Sequence, residues 1–372
     1  MNYIFYQTKT KYTNAGDVLI NKALINKLRL FGKLYANCSK EIPDEFLEKL
    51  GIMPEERYVT KSEKQFATSI IKFKGKHKKD NVYIFSGLGD SYGGGSKRVL
   101  RNMMSAGIYM LYKFFGIKTV RIGRSVGEYT KPMQFSEYFK SKFTDFNYLR
   151  DTDSLEKCKK MKFKNASFCP DMSWIYENGK SRDYNGGSNI SIFMRAAVIG
   201  KYDPEVAKLI AEKLHVFLDK VSDCIPNPHL IFAYQVKEDR RIALELYEHF
   251  DGQYDCEFVD EQLDLGTVES VYGKSAFHIS NRLHSLLLGY KYGSLPIALL
   301  EQKKHYKVTS VFKDSGLDDL MFDLNDELDE KRIEKVCENR ELYYNNVINK
   351  EKEYSDMVDE ILNKEVFRLN GE

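Results

Sequence analysis

Residues 275–297 read SAFHISNRLHSLLLGYKYGSLPI, and their pattern decides the class of fold. The apolar run Ala276, Phe277, His278 and Ile279 reads as a buried strand. It stops at Ser280 and Asn281, two residue types that favour helix N-caps. Leu283, Leu286, Leu287 and Tyr290 then recur at helical spacing. Gly293 and Pro296 close the helix, and a second strand, Pro296–Leu300, follows. Strand, helix and strand in succession make a parallel sheet. Arg282 and His284 then fall in the first turn of a helix, just past the carboxyl end of a strand. Open α/β sheets bind ligands at that edge. Helix N–H groups and the positive dipole end favour an anion there. An arginine adds a planar fork for carboxylate or phosphate, and a nearby histidine can exchange a proton near neutral pH. A plainer reading, an arginine paired to a local carboxylate and a histidine at a helix end, has equal weight from this segment alone.

The same alternation runs through the chain. Strands are expected at Tyr3–Tyr6, Val82–Ser86, Thr119–Gly123, Ile190–Arg195, Leu230–Gln235, Cys256–Val259, Ser275–Ile279 and Ile297–Leu300. Helices are expected at Gly16–Phe31, Arg98–Phe115, Glu137–Phe143, Asp203–Val221, Arg240–Phe250 and Arg282–Tyr292. A chain of 372 residues suits two domains. The polar, glycine-rich Asn178–Asn189 is the expected linker. The reading is α/β: two doubly wound, Rossmann-like domains facing across a cleft, residues 1–180 and 188–326. Residues 327–372 are a charged extension with amphipathic helical spacing.

A net charge of +3 provides no strong field toward nucleic acid. The basic runs Lys76–Lys79 and Lys157–Lys164 read as solvated surface and permit a weak peripheral attraction to anionic lipid. Six scattered cysteines with no CxxC and no zinc-type spacing point to reduced thiols and no metal. Met1–Thr8 has no signal-peptide pattern, and no apolar run reaches membrane-spanning length. A cytoplasmic protein is the expectation.

Five further features bear on chemistry. Asn14-Ala15-Gly16-Asp17 follows the first strand, with Gly16 permitting close backbone approach and Asp17 in a first helical turn. Capping alone would also explain it. Gly87-Leu88-Gly89-Asp90, with Gly93–Gly95, invites comparison with a dinucleotide fingerprint. Tyr92 stands at the third glycine, and no Gly-Lys-Ser/Thr follows, so neither a dinucleotide nor a Walker loop is read. A flexible loop carrying Asp90 is. Arg195 ends an apolar strand and emerges at the ligand edge of its sheet, where it and Arg282 can hold two anionic groups of one ligand. Asp171 follows Cys169-Pro170 and reads equally well as a turn aspartate. One of Lys303, Lys304 and Lys307 can reach the same anion.

Taken in order, these segments resemble the polysaccharide pyruvyltransferase family. The resemblance rests on the N-x-G-D turn at Asn14–Asp17, the glycine-rich loop at Gly87–Asp90, and Arg150-Asp151-Thr152-Asp153-Ser154 with Pro170-Asp171. It extends to Phe193-Met194-Arg195, to Arg282-Leu283-His284 with Gly293–Pro296, and to Lys307 ahead of Ser315-Gly316-Leu317. The resemblance implies a glycosyltransferase-B-like pair of domains, acceptor side first and donor side second. It implies transfer of pyruvate from phosphoenolpyruvate to two hydroxyls of a sugar in a surface polysaccharide or precursor, as a cyclic ketal with release of phosphate. The acceptor's carrier, whether nucleotide, lipid or polymer, is not specified, and no cofactor is required. Arg195, Arg282 and Lys307 would bind donor, with His284 as general acid and Asp17 or Asp90 as base. Asn14, Gly16, Gly87, Gly89 and Asp171 would line the substrate sites. One departure is that the family's glycine triplet comes late here, at Gly93. The competing reading is a nucleotide-sugar-dependent glycosyltransferase of the same shape, with Glu257, Asp260 or Glu269 gripping a ribose.

Overall fold

The computed structural model describes residues 1–8, 10, 12–179, 183–196 and 202–368, so residues 180–182 of the expected linker lie outside it. Contacts divide the chain into two compact units. Unit 1 comprises Met1–Thr13, Asp17–Tyr176 and Tyr354–Glu372; unit 2 comprises Asn14–Gly16 and Glu177–Glu353.

Unit 1 opens with β1 (Asn2–Tyr6), α1 (Ala15–Leu28), β2 (Lys33–Ser39), α2 (Asp44–Lys49), β3 (Arg57–Thr60), α3 (Glu63–Lys76) and β4 (Asn81–Ser86). It continues with β5 (Gly89–Gly93), α4 (Ser96–Phe114), β6 (Lys118–Tyr129), α5 (Lys131–Ser141), β7 (Phe146–Leu149), α6 (Thr152–Lys160) and β8 (Ala166–Phe168). The strands form one parallel sheet in the order β3-β2-β1-β4-β6-β7-β8, with β5 also on β6. Crossover connections of parallel strands need helices, and these cover the sheet. Phe5, Val82 and Ile84 of the sheet pack on Phe66 and Ile70 of α3 and on Tyr109 and Tyr112 of α4. The abundant aromatics are thus largely core.

The expected loop after Ser86 is partly strand. β6 has 12 residues; β4 pairs its first part through Ser86↔Arg121, and β5 its second from Gly89↔Arg124. The jog between them falls at Gly87 and Gly89, whose φ angles of 97° and 93° lie where side chains are disfavoured. Alternating glycine and polar residues hid this strand, because it has no apolar run to mark it.

Unit 2 contains β9 (Asn189–Phe193), α7 (Pro204–Cys224), β10 (His229–Tyr234), α8 (Arg240–Phe250), β11 (Asp255–Gln262), α9 (Glu269–Tyr272) and β12 (Ser275–Ser280). These are followed by α10 (Leu283–Gly289), β13 (Leu295–Leu300), α11 (Tyr306–Asp314), β14 (Met321–Asp323), α12 (Glu330–Glu338) and α13 (Arg340–Glu360). The sheet is parallel, in the order β11-β10-β9-β12-β13-β14. That is the doubly wound order, reversing between β9 and β12. Unit 1 reverses likewise between β1 and β4. Strand β12 and strand β13 are buried throughout, as parallel strands covered on both faces are.

Within β12, His278 is a core residue. Its Nδ1 is 2.9 Å from Ser191 Oγ and its Nε2 2.9 Å from Ser285 Oγ. Burial pushes its pKa down to about 3, so the ring is neutral.

The charged extension packs on the body. Helix α12 lies on α7, where Lys220 pairs with Glu330 at 2.9 Å. In α13, Tyr344 donates to the carbonyl of Tyr290, and the buried Lys291 meets Glu351 at 2.7 Å. The residues from Tyr354 onward belong to unit 1, where Phe367 stacks on Phe31 with ring centroids 4.6 Å apart.

Candidate active site

The carboxyl edge of unit 2's sheet gathers the charged residues singled out above. Strand β9 lies between β10 and β12, and β13 is β12's other neighbour. Arg195 follows β9 by two residues; Arg282 and His284 follow β12; Lys307 follows β13; and Asp239 follows β10. The reversal of strand order puts Arg195 and Arg282 at the switch point, where doubly wound sheets open a crevice for ligand.

Local geometry differs from the expected capping. Helix α10 starts at Leu283 with Arg282 as its N-cap residue, and no side chain caps it. Asn281 instead holds the neighbouring strand end: its Oδ1 accepts from Arg195 N at 2.9 Å, and its Nδ2 donates to Arg195 O at 2.8 Å. Ser280 Oγ donates to the Phe193 carbonyl and accepts from Arg282 N at 3.1 Å. The two arginine backbones are thereby locked together. His284 sits in the first turn of α10, half-buried.

Asp239 and His305 are the residues that sequence reasoning missed. Arg282 is paired to the buried Asp239, and its Nε is buried without a hydrogen-bond partner among the described residues. Burial raises the Asp239 pKa, opposed by Arg282 and then by Arg195. Asp239 therefore pairs with Arg282 and also feels the charge of Arg195. His305, buried at the N-cap of α11, places Nδ1 3.1 Å from the Glu301 carbonyl. A carbonyl only accepts, so Nδ1 carries the proton and Nε2 is bare. That Nε2 is buried with no partner among the described residues. Burial lowers the ring's pKa; the Glu301 carbonyl and carboxylate oppose this, and Arg195 and Arg282 add to it. Arg282 Nε and His305 Nε2 are thus two buried polar atoms at one sheet edge that a ligand could satisfy. No spacing marked His305, because it stands inside a lysine-rich stretch. Of those lysines, Lys304 pairs with Glu301 at 2.8 Å, while Lys307 lies half-buried in the first turn of α11.

Asn14–Gly16 groups with this unit. Asn14 Oδ1 accepts from Gly16 N at 3.0 Å. A Cβ on Gly16 would fall 2.8 Å from His284 Cβ and 2.9 Å from its Cγ, so any side chain there would displace the histidine.

The other residues lie in unit 1. Asp17, in the first turn of α1, accepts from Thr10 Oγ1 at 2.7 Å. Asp90, on β5, pairs with the buried Arg150 at 2.7 Å. Arg150 also pairs with Asp171 at 2.9 Å and donates to Ser125 Oγ at 2.7 Å. Asp171, itself 1% exposed, caps the following turn through Ser173 N. Asp151 caps α6 through Ser154 N at 2.7 Å and accepts from Ser125 at 2.6 Å. The Arg150–Ser154 segment and Asp171 therefore form a buried polar frame that tethers Asp90.

The family model for polysaccharide pyruvyl transferase matches residues 14–293. The chain belongs to that family. It is an enzyme that transfers pyruvyl groups to a polysaccharide or a polysaccharide precursor. The matched span contains the Asn14–Asp17 turn, Arg195, Arg282 and His284, and ends at Gly293, short of Lys307. No curated protein matches in sequence. Among solved structures, the chain is similar to a glycosyltransferase from Rickettsia africae at TM-score 0.59 and 11% identity, covering 100% of each chain. It is also similar to a putative UDP-N-acetylglucosamine 2-epimerase from Listeria monocytogenes, at TM-score 0.59 and 10% identity, covering 100% of this chain and 97% of that one. A third is MnaA of S. aureus in a structure with UDP, at TM-score 0.54 and 11% identity, again covering 100% and 97%. At such identities the likeness concerns fold alone: two Rossmann-like domains of glycosyltransferase-B-like architecture. Among the described residues no group of three or more His, Cys, Asp or Glu could hold a metal, and no helix is long and apolar enough to cross a membrane.

Proposed function

We propose that the edge formed by Arg195, Arg282, His284, His305 and Lys307 is the donor site, and that the donor is phosphoenolpyruvate. The observation carrying this is the pair of arginines whose backbones are locked side by side at the switch point, with Arg282 held on a buried carboxylate and its buried guanidinium Nε left unsatisfied. Phosphoenolpyruvate has two anionic groups on one small frame, and two guanidinium forks suit them. Lys307 adds a point charge, and the bare His305 Nε2 accepts a hydrogen bond from the P–OH of a monoprotonated donor phosphate.

His284 gives a proton to the methylene carbon while a sugar hydroxyl oxygen bonds to the adjacent carbon. The bond from that carbon to the phosphate oxygen then breaks, and phosphate leaves with the electron pair. The second hydroxyl closes the ketal. Two hydroxyl protons are released: one replaces the proton given by His284, and one leaves with phosphate. Asp17 and Asp90 are the carboxylates we assign to accept them, and the frame of Arg150 and Asp171 positions Asp90. The acceptor is a sugar assembled inside the cell.

Thermal unfolding with phosphoenolpyruvate tests the donor. A ligand at ~100 times its Kd adds about 2.7 kcal/mol of stability. The expected result is a rise in Tm for the wild type that is lost in Arg282→Ala. A rise with UDP-sugars alone, or one unaffected by Arg282→Ala, removes this assignment.

A further inference from the structure

Helix α4 wears its apolar residues outward. Its buried side is formed by Asn102, Ala106, Tyr109 and Tyr112. Its exposed side carries Leu100, Met104, Leu111 and Phe114, and the exposed Phe115 follows at its C-cap. Positions 100, 104, 111, 114 and 115 fall on one face of a helix, so they make a continuous stripe along its length. Leu100 is 63%, Met104 60% and Phe114 80% exposed. Phe135, 62% exposed, adds another apolar side chain on α5, which packs beside α4. Single exposed apolar residues are ordinary, but a contiguous patch marks an interaction surface.

The charges around the stripe select the partner. Lys97 and Arg101 of α4 and Lys131 of α5 are exposed. Among the described residues, none of the three has a carboxylate within ion-pair distance. Helix α4 has no acidic residue at all. Helix α5 has only Glu137, which is buried and held by Arg121 at 2.9 Å and Arg124 at 3.2 Å. A second copy of this chain is a poor occupant, because two faces whose exposed α4 and α5 charges are all cationic would repel. An anionic lipid surface complements both features. We propose that the outer face of α4, with Phe135, docks unit 1 onto an anionic bilayer. The apolar side chains enter the headgroup layer, and the lysines and arginine meet lipid phosphates. This goes beyond the transfer reaction and is independent of which residues bind the donor.

Co-sedimentation of the full chain with vesicles of phosphatidylglycerol and phosphatidylcholine, beside vesicles of phosphatidylcholine alone, tests it. The expected result is binding only to the anionic vesicles. Leu111→Ser/Phe114→Ser and, separately, Lys97→Glu/Arg101→Glu should each weaken it about tenfold or more. All four side chains are exposed, and an unchanged Tm verifies that each variant is folded. Absence of binding to anionic vesicles overturns the proposal, as does equal binding by Leu111→Ser/Phe114→Ser. A dimer in sedimentation velocity that this variant dissolves reassigns the face to self-association and also overturns it.

Discussion

Arg195 and Arg282 act on one carboxylate before any substrate arrives. Asp239 orients Arg282 and offsets part of the charge, so that guanidinium is held while its Nε stays unsatisfied. An incoming anion then finds a preorganised donor and need not order that long side chain, which is where affinity is usually lost. His284 differs in kind, because its role is a proton. His284→Ala should lower turnover by about 10²-fold or more while leaving phosphoenolpyruvate binding in calorimetry nearly unchanged. Equal loss of binding and turnover would make His284 an anion ligand. At this scale the sequence was legible only where a residue broke its local pattern. Arg195 and Arg282 stand out because charges interrupt apolar runs. Asp239 and His305 sit in polar stretches, and only the fold brings them to the arginines.

Among the elements, β12 and α10 link the interior to the site. Their contact runs through the neutral His278 between Ser191 and Ser285. The sign of its effect on stability follows from its pKa of about 3 against an ordinary 6.5. Between those values the unfolded chain binds a proton that the folded chain refuses, so stability falls as pH drops below 6.5 and is complete above it. From pH 7 to pH 5 this group alone should cost about 2 kcal/mol. Urea unfolding of His278→Asn at both pH values should show a pH dependence shallower by that amount; an unchanged slope would mean that the ring titrates normally. The same pair of elements explains what could be read beforehand. Strand β12 and helix α10 have strong apolar periodicity and were expected almost to the residue. Strands β2, β3, β5, β7, β8 and β14 were not. They are short or polar, and their burial comes from neighbours distant in sequence, such as Asn37, which accepts and donates within the edge of the sheet. The tract at Gly87–Gly93 is a strand only because β6 is long enough to pair with it.

In the whole molecule, unit 1 is completed by chain that comes after unit 2. Tyr354 packs edge-on against the buried Trp174 with centroids 5.4 Å apart, Asp359 pairs with Lys27 at 2.5 Å, and Tyr148 donates to Glu365 at 2.7 Å. Deleting residues 354–372 should therefore destabilise unit 1 by about 3–5 kcal/mol, the usual cost of losing large buried aromatic contacts. Hydrogen exchange would register this as lost protection in β1, β4 and β7, with β9, β12 and β13 unaffected; unchanged protection in unit 1 would refute it. The same arrangement bears on synthesis. Domains ordinarily fold in the order in which the ribosome makes them. Here the first unit begun is the last one finished, since residues 354–368 are translated only after all of unit 2. Until then Phe31, Phe85 and Trp174 lack the aromatic partners that Phe367 and Tyr354 supply, and that interval is when the nascent chain has most need of a chaperone.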